Sequence, residues 1–480
     1  MPEQNAAPVP HFAVLDHAAM GPRQFAIWIL ASGGTLLDGF SIFSLGVAMP
    51  LLTSRFGLTP LVVGLIGAAL VLGAAIGAAF GGPAADRFGR KPLLIIDMAI
   101  LATGGVFSAF AENALAVLFG QFLIGVGIGI DFPVSASYVS ETMPKRERSR
   151  MMVATIALQS VGMLVGAGVA LTLLRLHGEA MDWRFIVGAT GAGAFVFMLM
   201  RMWLPESPRW LLEHGHPESA ARVITGLTKV PIEHPSEPPP SGDRGMAVLF
   251  SQPYRVRTAL VSVPWFLMDI ATYGIGLFTP VILAALHLGG KPKDPVAADF
   301  AAGLGSAAID LFLLIGFLIG IWAVPRFGRL HMQIVGFLGM CVGMLVLLVA
   351  VLSGGQGSAH IALVFAGFVL FNLAMNAGPN ATTFTMAPEL FPTAVRASAS
   401  GFAAASAKAG ATLGIFVLPQ VKAFAGVAGV LALMAIVSAL GAAITFLLSR
   451  NIRDIPEGRG LEEVSQPRLA PGPHTAQPAG

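Results

Sequence analysis

Twelve apolar runs of about 20 residues each constrain this chain more than any other feature of its sequence. A run of that length spans the hydrocarbon core of a bilayer as an α-helix. Inside a bilayer, only helices and closed barrels satisfy their own backbone hydrogen bonds. The chain is 55% hydrophobic and 11% charged, against about 25% charged in soluble domains, so it cannot cover a water-soluble surface. The sequence therefore predicts an all-α membrane protein with twelve transmembrane helices. The predicted spans are 25–50, 61–83, 92–111, 115–140, 151–174, 184–204, 258–286, 304–324, 332–352, 361–387, 397–420 and 426–448.

A polar, proline-rich segment at 205–257 separates the sixth run from the seventh. It divides the chain into two predicted six-helix bundles with a cytoplasmic linker between them. The polar first 24 residues also make a cleaved signal peptide unexpected. The predicted parts are an N-terminal tail at 1–24, a first bundle at 25–204, the linker at 205–257, a second bundle at 258–450 and a C-terminal tail at 451–480.

The distribution of basic residues predicts the orientation, because Lys and Arg are enriched in cytoplasmic loops. Placing both termini in the cytoplasm puts most of the 29 Lys and Arg residues in cytoplasmic segments. The predicted outer loops hold Arg55, Arg175, Arg184, Lys291, Lys293 and Lys422. This asymmetry accounts for the pI of about 9.2 without a nucleic-acid partner. We therefore expect a multi-pass protein of the plasma or inner membrane with both termini cytoplasmic.

Two loop motifs occur once in each half of the chain. RFGR occurs at Arg87–Arg90 and at Arg326–Arg329, and E-x-x-P-x-x-x-R begins at Glu141 and at Glu389. Duplicated halves are typical of transporters, whose substrate sites lie at the repeat interface near the bilayer midplane. The charged loop residues are interpreted as a gate that breaks and re-forms, although they could serve only to set the topology. The gating candidates are Asp86, Arg87, Arg90, Glu141, Arg148, Arg326, Arg329, Glu389 and Arg396.

Ionisable residues lie deep inside several apolar runs. Asp38, Asp131, Asp269 and Lys408 each lie within such a run. A charge at the bilayer centre costs roughly 2.5–3.5 kcal/mol on insertion scales, so these residues indicate function. Carboxylates placed where ionisation is costly can take up and release a proton. Lys408 supplies a positive charge for an anion, unless Lys408 and Asp269 form only a structural ion pair.

The seventh run places Trp265, Asp269 and Tyr273 at i, i+4 and i+8, which is one stripe of a helix. An aromatic ring, an acid and a phenol on one face can hold a small polar solute, or they can lock helices together. Asn376 and Asn380 repeat the four-residue spacing in the tenth run, where amides both donate and accept hydrogen bonds.

Three motifs resemble the major facilitator superfamily, in particular its sugar-porter branch. They are the loop from Gly82 to Lys91, PESPRW at Pro205–Trp210 and PELFPTAVR at Pro388–Arg396. The resemblance extends over residues 24–450. It implies two pseudo-symmetric six-helix bundles and transport by alternating access.

A narrower resemblance links four helices to the phosphate:proton symporter family. It rests on Gly125–Glu141, the surroundings of Gln159, Trp265–Gly274 and Asn376–Ala411. Phe132 stands where that family has a tyrosine, which removes one hydroxyl donor. The resemblance implies a substrate site formed by Phe132, Gln159, Trp265, Asp269, Tyr273, Asn376, Asn380 and Lys408. It also implies a proton route through Asp38, Asp131 and Asp269.

The function that these observations favour is proton symport of a small anion, with inorganic phosphate first. A sugar, a polyol or an organic acid is the alternative substrate, and a non-transporting nutrient sensor is a different class. No run contains a nucleophile–base pair or a metal-spaced cluster, and Cys341 is the one cysteine. We therefore expect no enzyme activity, no cofactor and no metal. The expected partners are a small-molecule substrate, a proton and the lipid bilayer, with no nucleic acid, and the protein is expected to be a monomer.

Overall fold

The computed structural model describes residues 11–176, 183–232, 245–252, 254–275, 295–353, 358–450 and 452. Within these ranges the regular structure is helical and contains no strand. The predicted all-α fold class is confirmed. Because lipid offers no hydrogen-bond partners, helices are the form in which these apolar runs can satisfy their backbones.

Ten helices form the N-terminal half of the described chain. They are α1 (His11–His17), α2 (Pro22–Ala31), α3 (Gly33–Phe56), α4 (Pro60–Phe88), α5 (Arg90–Ala109), α6 (Ala114–Thr142), α7 (Lys145–Leu176), α8 (Trp183–Arg201), α9 (Pro208–Glu213) and α10 (Pro217–Thr228). The short helices α9 and α10 lie in the segment predicted to be a linker, and α1 lies in the predicted N-terminal tail.

Six helices form the C-terminal half. They are α11 (Arg255–Ile275), α12 (Pro295–Phe327), α13 (Arg329–Ser353), α14 (Ser358–Ala377), α15 (Pro379–Leu390) and α16 (Arg396–Ser449). Two 3₁₀ turns, Met246–Phe250 and Thr393–Val395, precede α11 and α16. The helix α16 covers both of the last two predicted spans, and its backbone breaks at Gly426, where φ is 67°.

Local sequence explains where several helices begin and end. Asn113 starts α6 by accepting a hydrogen bond from the Ala116 N–H at 2.9 Å, which satisfies one of the free donors of the first turn. Gly57 ends α3 with a left-handed φ of 61°, a conformation that glycine adopts without strain. Polar caps and glycine therefore mark the span boundaries, as in soluble helices.

Nine helical stretches in the described residues are long and apolar enough to cross a membrane. They are Pro22–Phe56, Pro60–Phe88, Arg90–Ala109, Ala114–Thr142, Lys145–Leu176, Trp183–Arg201, Arg329–Ser353, Ala362–Leu390 and Thr393–Ser449. The predicted eighth span, 304–324, overlaps the shorter apolar stretch Leu311–Phe327. The predicted seventh span begins within α11, and its second part lies outside the described residues.

The two halves meet along two helix pairs that are equivalent under the sequence repeat. The second helix of the first half, α4, packs against α16, and its counterpart α12 packs against α7. Glycines permit the closest approaches: a Cβ on Gly82 would lie 2.2 Å from the Ala397 carbonyl oxygen. The loops that carry the repeated motifs lie together at one end of these pairs. We call this end the basic face, defined by Asp86, Arg90, Glu141, Arg329, Glu389 and Arg396.

Candidate functional site

Lys408 of α16 and Asp269 of α11 lie beside each other in the interior. The Lys408 Nζ is 3.6 Å from the Asp269 Oδ2, which is an ion-pair distance but too long for a direct hydrogen bond. Gly410 lies two residues after Lys408 on α16, and a Cβ on it would lie 2.2 Å from the Phe266 carbonyl oxygen. This close backbone contact holds α16 against α11, so that the lysine and the aspartate share one site.

Asp38 brings a second carboxylate from the other half. Gln159 Nε2 of α7 donates a hydrogen bond to Asp38 Oδ2 of α3 at 2.6 Å. The helices touch here because Gly39 has no side chain: a Cβ on it would lie 1.8 Å from the Gln159 carbonyl oxygen. Asp38 also lies close enough to Lys408 for their charges to interact. The structure therefore brings together four of the predicted residues, from both halves.

Aromatic side chains form one wall of this site. The Lys408 Nζ lies 5.4 Å from the centre of the Phe132 ring, within the range of a cation–π interaction. Phe132 packs edge-to-face on Phe384, with ring centres 6.1 Å apart. Phe132 belongs to α6 and Phe384 to α15, so this pair also joins the two halves. Phe384 was not predicted as a site residue, although it lies in the Asn376–Ala411 stretch that resembles the phosphate:proton symporter family.

The structure describes part of the two predicted stripes, namely the amides of the tenth span and the aromatic and acidic face of α11. Asn380 Nδ2 donates to Asn376 Oδ1 at 2.9 Å, and Asn376 Nδ2 donates to the Asn372 carbonyl oxygen at 2.9 Å. Trp265 is buried on α11, one turn before Asp269. The side chain of Tyr273 lies outside the described part of the structure. The roles of these side chains in binding stay predictions.

Asp131 lies in a second buried charge cluster that the sequence analysis missed. Arg201 of α8 contacts Asp131 at 2.7 Å and Asp97 of α5 at 2.9 Å, and all three residues are 0% exposed. The same guanidinium donates to the carbonyl oxygens of Leu30 and Ala31 at 2.9 and 2.7 Å. One positive charge is therefore shared by two carboxylates. The signal was present in the sequence, since Arg201 and Asp97 also lie inside apolar runs.

At the basic face, Glu141 joins the two halves. It accepts hydrogen bonds from Arg90 of its own half at 3.1 and 2.9 Å, and it pairs with Arg396 of the other half at 2.9 Å. All three side chains are 0% exposed. Arg90 Nη2 also donates to the Thr393 carbonyl oxygen across the interface at 3.1 Å. A buried carboxylate between two arginines closes this face.

Asp86 adds a second connection between the halves. Its carboxylate accepts hydrogen bonds from the backbone N–H groups of Ala397 and Ser398 at 3.2 and 2.7 Å. These are among the first residues of α16, whose N-terminal amides have no partners within the helix. An anion at a helix N-terminus also interacts favourably with the helix dipole. Asp86 on α4 therefore caps α16 across the closed basic face.

The PESPRW loop holds the N-terminal half together at this face. Glu206 accepts hydrogen bonds from the backbone N–H groups of Arg90 and Lys91, at the start of α5. Ser207 donates to Glu141, and Trp210 Nε1 donates to the Asp86 carbonyl oxygen at 2.9 Å. Burial raises the pKa of the Glu206 carboxyl above its ordinary value. The loop therefore fixes the position of the gating residues, a role that sequence reasoning did not assign to it.

The remaining gating candidates separate into two exposed arginines and three residues that form ion pairs within their own half. Arg87 and Arg326 are exposed and lie over the rings of Phe88 and Trp322, at 5.2 and 4.4 Å from the ring centres. Arg329 pairs with Glu389 within the C-terminal half, with Arg329 Nη2 2.6 Å from Glu389 Oε1. The last candidate, Arg148, pairs with α1, where its Nη2 donates to the Asp16 carboxylate. The network between the halves thus includes only part of the predicted set.

Comparisons with known proteins agree with this architecture. The sequence profile of the sugar (and other) transporter family matches residues 27–452. A rice protein named "Probable inorganic phosphate transporter 1-12" is 28% identical over 512 residues, which cover 94% of this chain and 93% of the rice protein. The inner membrane metabolite transport protein YgcS of Escherichia coli K12 is 27% identical over 442 residues, covering 92% and 95% of the two chains.

Solved structures show the same fold. The proton:xylose symporter XylE, bound to 6-bromo-6-deoxy-D-glucose, superposes with a TM-score of 0.73 at 19% identity, over 92% of this chain and 99% of XylE. The inward-open conformation of XylE from E. coli gives a TM-score of 0.63 at 20% identity, over 92% and 99% of the two chains. With the profile match over nearly the whole chain, the conclusion is direct. This multi-pass membrane protein belongs to the sugar (and other) transporter family, has the fold of the major facilitator superfamily protein XylE, and is a transporter and not an enzyme.

Proposed function

We propose that the protein is a proton symporter of a small anion, with inorganic phosphate as the first candidate. The observation that carries the proposal is the charge of the interior site, where Asp38 and Asp269 flank Lys408. With all three ionised, the site carries two negative charges and one positive charge, so its net charge is −1. An anion entering that site would meet net repulsion in a medium of low dielectric constant.

A proton removes that repulsion. If one of the two carboxyl groups is protonated, the site becomes neutral before the anion arrives, and Lys408 is available to the anion. Binding of the anion and binding of the proton then favour each other, which is the thermodynamic requirement for symport. The amides of Gln159, Asn376 and Asn380 supply further donors. The rice relatives named as phosphate transporters support phosphate as the anion.

Alternating access supplies the movement. The basic face is closed by buried contacts between the halves, whereas the Lys408 side chain is 15% exposed. This combination fits a conformation in which the site is reached from the opposite side. Breaking the Glu141–Arg396 and Asp86–α16 contacts would open the basic face. From the distribution of basic residues, we propose that this face is cytoplasmic.

A neutral sugar is the second candidate, and one observation favours it. Lys408 is already matched by a carboxylate, so a neutral solute could bind without any change of charge in the site. The family profile is that of sugar transporters, and XylE is a proton:xylose symporter. Under this alternative, the proton would not be needed to admit the substrate, and Lys408 would orient Asp269.

Uptake into proteoliposomes with an imposed inward proton gradient distinguishes the two candidates. We expect labelled phosphate to accumulate, and we expect Lys408→Ala to reduce phosphate counterflow by roughly 10–100-fold, because a charge-assisted hydrogen bond is lost. Lys422→Ala is the matched control, since Lys422 lies exposed on the same helix. Accumulation of a sugar but not of phosphate would replace the anion proposal. Unchanged phosphate counterflow in Lys408→Ala would remove its basis.

A further inference from the structure

The repeated E-x-x-P-x-x-x-R motif leads to an expectation about the basic face. Glu141 and Glu389 occupy equivalent positions in the two copies, and so do Arg148 and Arg396. Arg396 crosses to the other half and pairs with Glu141 at 2.9 Å. If the two copies behaved alike, Arg148 would cross in the same way and pair with Glu389. The closed face would then contain two equivalent ionic bridges.

The structure contains the first bridge and not the second. Arg148 Nη2 donates to the Asp16 carboxylate and, at 3.3 Å, to the Met143 carbonyl oxygen. Within the described ranges, Asp16 is the ion-pair partner of Arg148, and Glu389 is paired with Arg329. Glu389 nevertheless lies near enough to attract the Arg148 guanidinium electrostatically. Arg148 is therefore within electrostatic reach of its symmetry partner but bound elsewhere.

Helix α1 is built into the N-terminal half. Leu15 is 0% exposed and packs in a cluster that includes Met152 of α7 and Ile224 of α10. Asp16 is itself 9% exposed, and it also accepts a hydrogen bond from Arg209 of α9 at 3.1 Å. A carboxylate held between two buried arginines is a strong local anchor. Thus α1 fixes Arg148 to its own half.

On the second side of the closed face, the described residues show no counterpart of the Asp86 cap. The first RFGR motif is preceded by Asp86, which caps α16, whereas the second is preceded by Pro325. The contact between α7, α12 and α15 is an apolar cluster of Val153, Val324 and Ala381. Among the described residues of the closed face, the charged contacts between the halves therefore lie on the α4–α16 side.

We propose that α1 is a regulatory element of the gate. Asp16 withholds Arg148 from Glu389, so that one ionic bridge instead of two holds the basic face closed. Release of α1 lets Arg148 cross to Glu389, which stabilises the closed conformation and slows reopening. This inference rests on the proposed alternation between two conformations and is independent of the proposed anion and proton.

Distance measurements between the halves test this inference without any substrate. Spin labels at Glu218→Cys on α10 and His331→Cys on α13, two exposed positions near the basic face, report whether the face is open in a Cys341→Ala background. In liposomes, Asp16→Asn should raise the population with the short inter-label distance about tenfold relative to the population with the long one. The reason is that a buried charge-assisted pair is gained across the interface. Asp16→Glu keeps the carboxylate and should match the parent protein.

The background Glu389→Gln is the decisive control. There Arg148 has no carboxylate to gain, so Asp16→Asn should no longer favour the short distance. If Asp16→Asn folds poorly, deletion of residues 1–19 is the alternative variant. It should give the same rise in the population with the short distance. An unchanged ratio, a shift toward the long distance, or an equal shift in the Glu389→Gln background would overturn the role of α1. A parent protein with one distance under all conditions would overturn both this inference and the proposed alternation.

Discussion

Arg201 illustrates how single residues decide what can be buried in this protein. Its guanidinium ties together α2, α5, α6 and α8 through two carboxylates and several carbonyl oxygens. A buried ion pair adds little net stability, but removal of one partner leaves an uncompensated charge in a medium of low dielectric constant. Arg201 is therefore important because its loss would leave the carboxylates of Asp97 and Asp131 buried without a cation.

We expect Arg201→Gln to destabilise the protein by roughly 3–5 kcal/mol, the usual cost of breaking a buried pair. Unfolding in detergent measures the loss. Arg184→Gln is the matched control at the other end of α8, because the hydrogen-bond partners of Arg184 among the described residues are the carbonyl oxygens of Ala109 and Ala111. Asp97→Asn should cost less than Arg201→Gln, since it leaves a one-to-one pair with Asp131. Equal losses in all three variants would argue against a shared charge.

At the scale of helices, the proposed gate depends on one element capping another. Asp86 on α4 satisfies the first amides of α16 in the closed conformation described here, and we expect this contact to be lost when the halves separate. Loss of such a cap costs on the order of 1 kcal/mol, which is several-fold in a conformational equilibrium. The cost falls on the closed state and not on the interior site, which is separate from the cap.

Asp86→Ala removes both acceptor oxygens of the cap, so it should slow the transport cycle several-fold while leaving the substrate concentration for half-maximal counterflow nearly unchanged. Arg87→Ala, at the next position along α4, is the control, because Arg87 is exposed and contacts Phe88. The measurement is counterflow at several substrate concentrations for each variant. A parallel loss of affinity and rate in Asp86→Ala would indicate a structural role for Asp86.

The helices themselves were predictable from apolar length, but their interruptions were not. The predicted first span is two helices that meet at Ser32, and the predicted tenth span is broken between Gly378 and Pro379. Proline disfavours helical geometry in the residue before it, which was a readable signal at Pro379. In α16 the backbone leaves the helical conformation at Gly426, where φ is 67°, and this kink separates the last two predicted spans.

At the scale of the whole molecule, the proposed proton coupling predicts different effects on two kinds of transport. One is accumulation driven by a proton gradient, and the other is exchange without net proton movement. Asp131→Asn and Asp38→Asn each replace a carboxyl group by an amide of nearly the same size, which cannot take up or release a proton. These variants should lose accumulation driven by a proton gradient yet retain exchange of labelled for unlabelled phosphate. Asp269→Asn should weaken binding as well, because we expect the face of α11 that carries Asp269 to contact the substrate. Accumulation by all three amide variants would mean that transport is not coupled to protons.

The sequence by itself determined which parts of the chain lie in lipid and which charges are costly there. Apolar length and local charge act over a few residues, so the fold class, the repeated motifs and the residues around Lys408 could be predicted without coordinates. Partner choice could not, because it depends on distances between helices far apart in the chain. Only the tertiary structure paired Arg201 with two carboxylates. Likewise, Arg148 went to Asp16 and not to Glu389 because a docked helix brought a closer carboxylate, and charge pairing is decided by proximity and burial.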